Sequence, residues 1–184
     1  MYLRDLLETI NRRLLDPISK RYFFVSEPTK LRVIDPPEGA ITMRFHPDRE
    51  DFGYREIRTG GLFFISRSDT KLLIPGSKIR LIEVYNVEIT KISEDLIEGK
   101  YAGQENIQEI PKIHWVAEGN ESPLVVKVPG PLFIDGIFNA NSLQTYEGYI
   151  EQAGRSMRVG EIGQFVRFGF CRLDAEGIAI RTHK

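Results

Sequence analysis

The chain has 184 residues with 41% hydrophobic content, and its 25 Lys and Arg residues nearly balance 26 Asp and Glu residues, for a formal net charge of −1. This composition excludes wholesale disorder and allows one good-sized core or two small ones. It also excludes binding of nucleic acid through bulk positive charge, so any basic footprint must be a local patch.

The first residues mix acidic and basic side chains, and no run of about 18 apolar residues occurs in the sequence. This predicts a cytoplasmic protein with no signal peptide and no membrane partner. The single cysteine, Cys171, can form no internal disulfide, and three histidines offer no zinc-ligand spacing. We therefore expect a structural thiol at Cys171 and no metal site.

Apolar residues at intervals of three and four positions open the chain and predict an amphipathic helix. They are Leu3, Leu6, Leu7, Ile10 and Leu14. Asp16 precedes Pro17, and because proline disfavours helical geometry in the residue before it, the helix is expected to end there. No later segment predicts a long helix.

Short β-rich runs between turn signals fill the rest of the chain. They span residues 22–25, 31–34, 41–45, 62–66, 79–92, 96–102, 113–116, 124–128, 146–152, 162–170 and 178–180. So many short strands at short intervals predict an all-β sandwich or barrel arrangement. The break at residues 118–123 marks a boundary between two β units.

Residues 163–174 place an amide and a guanidinium among closely spaced aromatic residues. Gln164 and Arg167 can each present two polar atoms to a base edge, while the neighbouring rings offer stacking surface. The same alternation is typical of an ordinary strand with an exposed arginine. Residues three apart on a regular strand face opposite sides, so joint contact with one RNA requires a bulge, a strand end or different bases.

Catalytic chemistry is not indicated by the residues. The sequence contains no Gly-x-Gly-x-x-Gly turn and no Gly-Lys-Ser/Thr loop to hold a phosphate. The carboxylates between residues 83 and 95 predict a solvated face rather than a general acid and base pair. His46 and His114 have no recognisable nucleophile motif beside them, which favours structural roles.

An ordered series of short motifs runs along the whole chain. The motifs are Asn11-Arg12-Arg13-Leu14-Leu15-Asp16-Pro17, Lys20-Arg21-Tyr22-Phe23-Phe24-Val25, His46-Pro47-Asp48, Gly53-Tyr54-Arg55-Glu56-Ile57, Pro75-Gly76, Ile79-Arg80-Leu81, Tyr85-Asn86-Val87 and Ile113-His114-Trp115-Val116. In order and spacing this series resembles the C-terminal anticodon-binding half of archaeal-type glutamyl-tRNA synthetases and their glutaminyl relatives. No single motif is diagnostic, but the ordered set is specific and covers nearly the whole chain.

The resemblance implies an all-β fold of two six-stranded β-barrels that exchange N-terminal strands, preceded by one amphipathic helix. Residues 1–17 would form a linker helix from a missing upstream catalytic domain. Residues 18–117 would form the first anticodon-binding barrel and residues 118–184 the second. These limits are soft because the strands are exchanged.

The implied function is tRNA anticodon recognition by the C-terminal part of a glutamate–tRNA ligase, which attaches glutamate to tRNA(Glu) using ATP. Class I enzymes of this kind activate the amino acid with a His-x-Gly-His-like turn and a Lys-Met-Ser-Lys-Ser-like loop, and neither occurs in this sequence. The expected partners are the tRNA(Glu) anticodon stem-loop and an upstream catalytic domain of the same chain. ATP and Mg would belong to the parent enzyme, and this fragment, with no cofactor, should be inactive alone.

RNA-binding residues also follow from the resemblance, position by position. Around the middle anticodon bases the glutaminyl branch has residue types that match Arg21, Pro47, Gln164 and Arg167. The outer bases are accompanied by a basic residue and an arginine that match Lys71 and Arg80. Glutaminyl enzymes carry a further arginine beside the third anticodon base, whereas this chain has Leu72, which favours the glutamyl branch.

Each of these residues also has a purely structural interpretation. Arg21 would pair with a carboxylate, Pro47 would shape a turn, and Lys71 and Arg80 would touch phosphates or nothing. For the whole chain, three other functions stay open. They are a glutaminyl-tRNA synthetase domain, a stand-alone β-barrel RNA-binding module, and a protein-interaction domain with no RNA role.

Overall fold

The computed structural model describes residues 3–37 and 39–183, with their side chains except those of residues 3–5, 7, 8, 11 and 183. One helix, α1, spans Leu3–Leu15, and a 3-10 turn over Asp16–Ile18 follows it, in agreement with the apolar spacing and Pro17. A one-turn helix, α2, spans Arg67–Thr70. Within this part of the chain no helix is long and apolar enough to cross a bilayer.

Strands account for most of the remaining structure. They are β1 (Arg21–Tyr22), β2 (Phe24–Ser26), β3 (Pro28–Ile34), β4 (Ala40–Arg44), β5 (Tyr54–Arg58), β6 (Leu62–Ser66), β7 (Lys78–Leu81), β8 (Asn86–Ile92), β9 (Leu96–Tyr101), β10 (Lys112–Ile113), β11 (Val116–Ala117), β12 (Glu121–Pro129), β13 (Phe133–Ile134), β14 (Ile137–Phe138), β15 (Leu143–Glu151), β16 (Ile162–Phe165), β17 (Gly169–Ala175) and β18 (Ile178–His183). Two further 3-10 turns span Glu50–Phe52 and Gln152–Ser156.

These strands form two seven-stranded sheets and two separate hairpins. The sheet that we call the first barrel has the order β10-β7-β8-β9-β3-β6-β11. The second barrel has the order β1-β16-β17-β18-β12-β15-β2. The hairpins are β4–β5 and β13–β14.

Each sheet closes on itself because its two end strands belong to one short segment of chain. Only His114 and Trp115 separate β10 from β11, and only Phe23 separates β1 from β2. If each such segment is counted as one strand, seven strands become six around each barrel. The expected all-β fold of two six-stranded barrels is therefore confirmed.

The segment containing β1 and β2 crosses from one barrel to the other. It precedes the strands of the first barrel in sequence, yet β1 pairs with β16 and β2 pairs with β15, both in the second barrel. Side-chain alternation along this segment supplies both cores. Tyr22 and Phe24 are buried in the second core, whereas Phe23 and Val25 are buried in the first. The two barrels therefore share this strand as a common wall.

Two of the runs that were predicted as continuous strands are interrupted by turns, so these predictions are wrong. The run 79–92 is two strands, β7 and β8, separated by a turn in which Glu83 has a φ of 64°. The run 162–170 also breaks, after Phe165, where Arg167 has a φ of 63°. The β13–β14 hairpin, which the sequence did not predict, carries large apolar side chains that are exposed, so it lacks the alternation typical of a half-buried strand.

The apolar face of α1 is open to solvent where its side chains are described. Leu6, Ile10 and Leu14 are 39%, 43% and 63% exposed. The side chains of Leu3 and Leu7, which the sequence places on the same face, lie outside the described residues. That α1 is a linker from a catalytic domain stays a prediction.

Candidate nucleic-acid interface

A cleft of about 520 Å³ opens where the β1–β2 segment passes beside the β4–β5 hairpin. Its walls are both polar and apolar. They include Arg21, Arg44, Pro47, Tyr54, Arg55 and Val166. Two of the predicted RNA-binding residues, Arg21 and Pro47, therefore line the same cleft.

Three of the residues that line the cleft are arginines, although the chain as a whole is slightly acidic. Three arginines, Arg21, Arg44 and Arg55, line it together with one carboxylate, Glu83. Each arginine has a carboxylate partner: Glu151 for the buried Arg55, Asp16 for Arg21 at 3.1 Å and Glu50 for Arg44 at 2.9 Å. The side chains of Arg21 and Arg44 stay partly exposed. Among the described residues the cleft thus offers partly exposed guanidinium groups but no excess of positive charge.

Arg21 and Gln164 are register partners in the parallel pairing of β1 with β16. Their neighbours Tyr22 and Phe165 point into the second core, so both polar side chains lie on the outer face of the sheet. One Arg21 nitrogen, Nη2, lies 3.1 Å from Asp16 Oδ1. Arg21 Nε and Gln164 Oε1 are buried atoms with no hydrogen-bond partner among the described residues. A donor and an acceptor that lack partners within the fold thus lie on neighbouring strands beside the cleft.

Tyr54 is a cleft residue that sequence reasoning did not assign to the site. The residue is 53% exposed, and the Arg44 guanidinium lies 5.7 Å from the centroid of its ring. Alternation along β5 gives the signal, because Tyr54 and Glu56 are exposed whereas Arg55 and Ile57 are buried. An exposed aromatic ring beside arginines is a typical stacking surface for an unpaired base.

Arg167 lies one residue beyond the cleft-lining Val166, but its guanidinium is engaged inside the protein. Its Nη1 and Nη2 donate to Asp69 Oδ2 and Oδ1 at 2.8 and 2.7 Å. Nη1 also lies 3.1 Å from His114 Nδ1. Asp69 and His114 belong to the first barrel and Arg167 to the second, so this cluster bridges the two barrels. Because the predicted run 162–170 breaks after Phe165, Arg167 lies on a turn after β16, and strand alternation does not set its direction relative to Gln164.

The pKa of His114 is lowered from 6.5 to about 4, first by burial and then by the charge of Arg167, while Asp69 and the Phe24 backbone partly oppose the shift. An unfolded histidine binds a proton near pH 6.5. The unfolded chain therefore takes up a proton at this residue before the folded chain does. Stability from this source is complete above about pH 6.5 and is lost as the pH falls towards about 4.

We expect His114→Asn to remove this pH dependence, because asparagine does not titrate but keeps an oxygen acceptor for Arg167. When the pH is lowered from about 7 to about 4, the unfolding free energy of wild type should fall by about 1 to 3 kcal/mol more than that of the variant. Urea unfolding of both proteins across this range measures the difference. Parallel curves for the two proteins would contradict the neutral, buried state of His114.

The two residues predicted for the outer anticodon bases are not among the residues described as lining the cleft. Lys71 is exposed and follows α2 directly. Arg80, on β7, donates through Nη1 to Asn86 Oδ1 at 3.1 Å and to the Gln104 carbonyl at 3.1 Å. Arg80 thus supports the loop after β9. Contact of Lys71 and Arg80 with RNA stays a prediction.

A second buried ion pair lies between the β4–β5 hairpin and the second barrel. Arg55 Nε donates to Glu151 Oε2 at 2.5 Å, with side chains 6% and 1% exposed. Glu151 Oε1 accepts the backbone N–H of Phe23 at 2.6 Å. Arg55 also lies over the rings of Phe23 and Phe45. The pair fixes the hairpin that forms one wall of the cleft.

In the part of the chain that the structure describes, no group of three or more His, Cys, Asp or Glu side chains could hold a metal ion. The cleft instead offers guanidinium and aromatic groups, and the Gln164 amide lies on the strand that pairs with the cleft-lining Arg21. Such groups bind RNA bases and phosphates.

Two protein-family models match the chain, over residues 19–104 and 112–174, and both describe the anticodon-binding domain of class I tRNA synthetases (E and Q). The first match begins ahead of β1–β2, which completes the second barrel. The second match begins at β10, whose segment completes the first barrel. The two matched segments thus exchange their N-terminal strands.

Curated relatives from archaea give the same result. The chain is 37% identical over 180 residues to a glutamate–tRNA ligase of Nitrosopumilus maritimus, and 38% identical over 189 residues to one of Pyrococcus abyssi. Each alignment covers 98% of this chain and 31% of the relative. The glutamate–tRNA ligase of Cenarchaeum symbiosum is 35% identical over 96% of this chain. The chain therefore spans about a third of the length of these relatives.

Proposed function

The chain belongs to the anticodon-binding domain family of class I tRNA synthetases for glutamate and glutamine, and from this premise we propose that it recognises the anticodon of tRNA(Glu) for a glutamate–tRNA ligase. Attachment of glutamate with ATP and Mg would be the work of the catalytic part of such a cytoplasmic enzyme. This chain would supply recognition and leave the chemistry to that part.

The observation that carries the proposal is the Arg21–Gln164 pair beside the cleft. A buried polar atom without a partner costs free energy. Binding is therefore favoured for a ligand towards which the partly exposed Arg21 and Gln164 side chains can turn, so that the Nε–H donor and the Oε1 acceptor both gain a partner. The polar edge of an unpaired RNA base offers such complementary atoms. Asp16 holds the other end of Arg21 and so restricts its guanidinium.

Recognition would combine three kinds of contact. Arg21 and Gln164 would bind the edge of a base, Tyr54 would stack against a base face, and Arg44 would hold a phosphate. Pro47 shapes the wall, since its carbonyl accepts a hydrogen bond from Arg44 Nη1 at 3.3 Å. A wrong base would leave the edge-binding atoms unpaired again, which gives discrimination.

Leu72 supports the glutamyl over the glutaminyl assignment. This residue is 48% exposed on the turn after α2, next to Lys71, so its position is open to a ligand but offers no hydrogen-bond donor. A glutaminyl-type domain would have an arginine here. Comparison of binding to two tRNA transcripts that differ only at the third anticodon base tests this choice.

We expect the 184-residue chain to bind a tRNA(Glu) transcript with a dissociation constant in roughly the micromolar range. The logarithm of its affinity should fall by about 0.7 to 0.9 per phosphate contact as the logarithm of salt concentration rises. Gln164→Ala should weaken binding of this transcript by about 1 to 3 kcal/mol and leave a transcript with the contacted base changed unaffected. Fluorescence anisotropy with labelled transcripts measures both.

The matched control is Gln144→Ala, which removes an exposed glutamine on β15. It should leave both affinities unchanged. Equal loss on both transcripts for Gln164→Ala would remove this residue from the recognition set. If wild type gave no tRNA-dependent signal even at low salt, the protein-interaction alternative would replace the proposal.

A further inference from the structure

Arg167 occupies a backbone position that arginine rarely adopts. It is the third residue of a turn in which the Phe168 N–H donates to the Phe165 carbonyl at 2.9 Å, and its φ is 63°. A positive φ at this position of a β-turn favours glycine or asparagine. The arginine is therefore held there by its side-chain contacts.

Those contacts come from the first barrel and use one end of the guanidinium. The two oxygens of Asp69, which is 4% exposed, accept from Nη1 and Nη2 of Arg167. His114, which is 6% exposed, lies against Nη1. This is an end-on, bidentate ion pair, the geometry that fixes a guanidinium plane most firmly.

Hydrogen-bond direction fixes the tautomer of His114. Arg167 can only donate, so His114 Nδ1 must accept, and the ring proton is then on Nε2. Nε2 lies 3.3 Å from Ser66 Oγ, which also accepts the backbone N–H of Ser26 at 3.1 Å. The chain of contacts thus runs from the backbone of β2 through two side chains of the first barrel to Arg167.

Arg167 keeps two N–H groups that these contacts do not use. A guanidinium has five N–H groups. Among the described contacts, Nη1 donates to Asp69 and His114, and Nη2 donates once to Asp69. The remaining Nε–H and second Nη2–H point along one common edge. The Arg167 side chain is still 37% exposed, so these contacts do not enclose it completely.

We propose that Asp69 and His114 are positioning residues that hold Arg167 end-on, so that its Nε edge binds an anticodon base offering two neighbouring acceptor atoms. This inference rests on the proposed anticodon recognition and assigns specificity to residues that never touch RNA. Asp69 fixes the plane of the guanidinium. His114 occupies the second hydrogen of Nη1, which leaves only the opposite edge for the ligand.

The test compares Asp69→Asn, Arg167→Ala and the double variant by binding of tRNA(Glu) and of transcripts changed at one anticodon base. We expect D69N and R167A each to weaken the binding of tRNA(Glu) about tenfold or more. For the transcript in which the base contacted by Arg167 is changed, the affinity should change by less than about twofold. In the R167A background, D69N should have no further effect, because Asp69 acts through Arg167.

Glu151→Gln is the matched control, because Glu151 is also a buried carboxylate in an ion pair, joins the β4–β5 hairpin to the second barrel, and does not contact Arg167 among the described contacts. This variant should weaken the binding of all transcripts to the same extent. Arg167→Lys is a second test that leaves Asp69 intact. Lysine keeps the charge and can pair with Asp69 but has no side edge, so discrimination should be lost as in R167A.

Two results would overturn the inference. One is loss of affinity in D69N that is equal on all transcripts and persists in the R167A background, because Asp69 would then only orient the barrels. The other is full discrimination in R167K. Failure of the proposed function looks different, since wild type itself would then bind cognate and altered transcripts equally.

Discussion

Glu151→Ala should cost about 3 to 5 kcal/mol of unfolding free energy, because the substitution leaves the Arg55 guanidinium buried and unpaired. Arg55 and Glu151 have side chains only 6% and 1% exposed, so water cannot replace the lost carboxylate without opening the structure. The Phe23 N–H loses its acceptor at the same time. Phe23 lies on the strand that both barrels share, so the effect extends to both cores.

The size of this effect follows from burial and not from the ion pair alone. Burial raises the pKa of the Glu151 carboxyl, while Arg55 and the Phe23 N–H act in the opposite direction. The carboxylate is thus costly to bury, and its removal is costlier because its partners remain. Asp51→Ala provides a control, because Asp51 also pairs with an arginine, Arg49, but on the surface. That variant should unfold at nearly the same denaturant concentration as wild type, because water and salt screen an exposed ion pair.

Chemical denaturation of both variants, followed through the fluorescence of the single tryptophan, provides the measurement. Trp115 is fully buried in the first core, so its emission reports on the barrel that Glu151 supports from outside. Equal stabilities for E151A and D51A would show that Arg55 finds a new partner or reaches solvent. The interpretation of the pair as a buried support of the cleft would then be wrong.

Much of the fold could be predicted from local patterns. Helix α1 follows from apolar spacing and Pro17, and most strands follow from β-rich runs between turns. Barrel closure could not be predicted in this way, because it depends on pairs such as Arg21 with Gln164 that are distant in sequence. The six-stranded count and the strand exchange came from the family resemblance.

The candidate site, like the fold, could be predicted only in part. Residue types at Arg21, Pro47, Gln164 and Arg167 were available from the resemblance, and the structure places the first two in the cleft wall. The carboxylate partner of Arg167 could not be predicted, because Asp69 lies in a short polar segment that is typical of exposed surface. Only the packing of α2 against the turn after β16 makes it buried.

Gly148→Ala should destabilise the protein by about 3 kcal/mol or more, at the upper end of what an added methyl group costs in a packed site. Gly148 lies on β15 opposite Ser26 of β2. A Cβ at this position would overlap the Val25 carbonyl oxygen and lie 2.9 Å from its carbon and 3.0 Å from Ser26 Cα. All three atoms belong to the backbone, so no side-chain rotation relieves the overlap, and β2 must move away from β15.

Displacement of β2 affects both barrels, because Phe24 and Val25 are fully buried in different cores. We therefore expect G148A to unfold at lower denaturant and to lose tRNA binding, since Arg21 lies just before the displaced strand. Gly60→Ala is the matched control, because Gly60 is exposed and a Cβ there would have no atom within 4 Å. G60A should unfold like wild type. A stable G148A with intact tRNA binding would mean that the shared strand tolerates a shift, and that the barrels do not depend on close contact between β2 and β15.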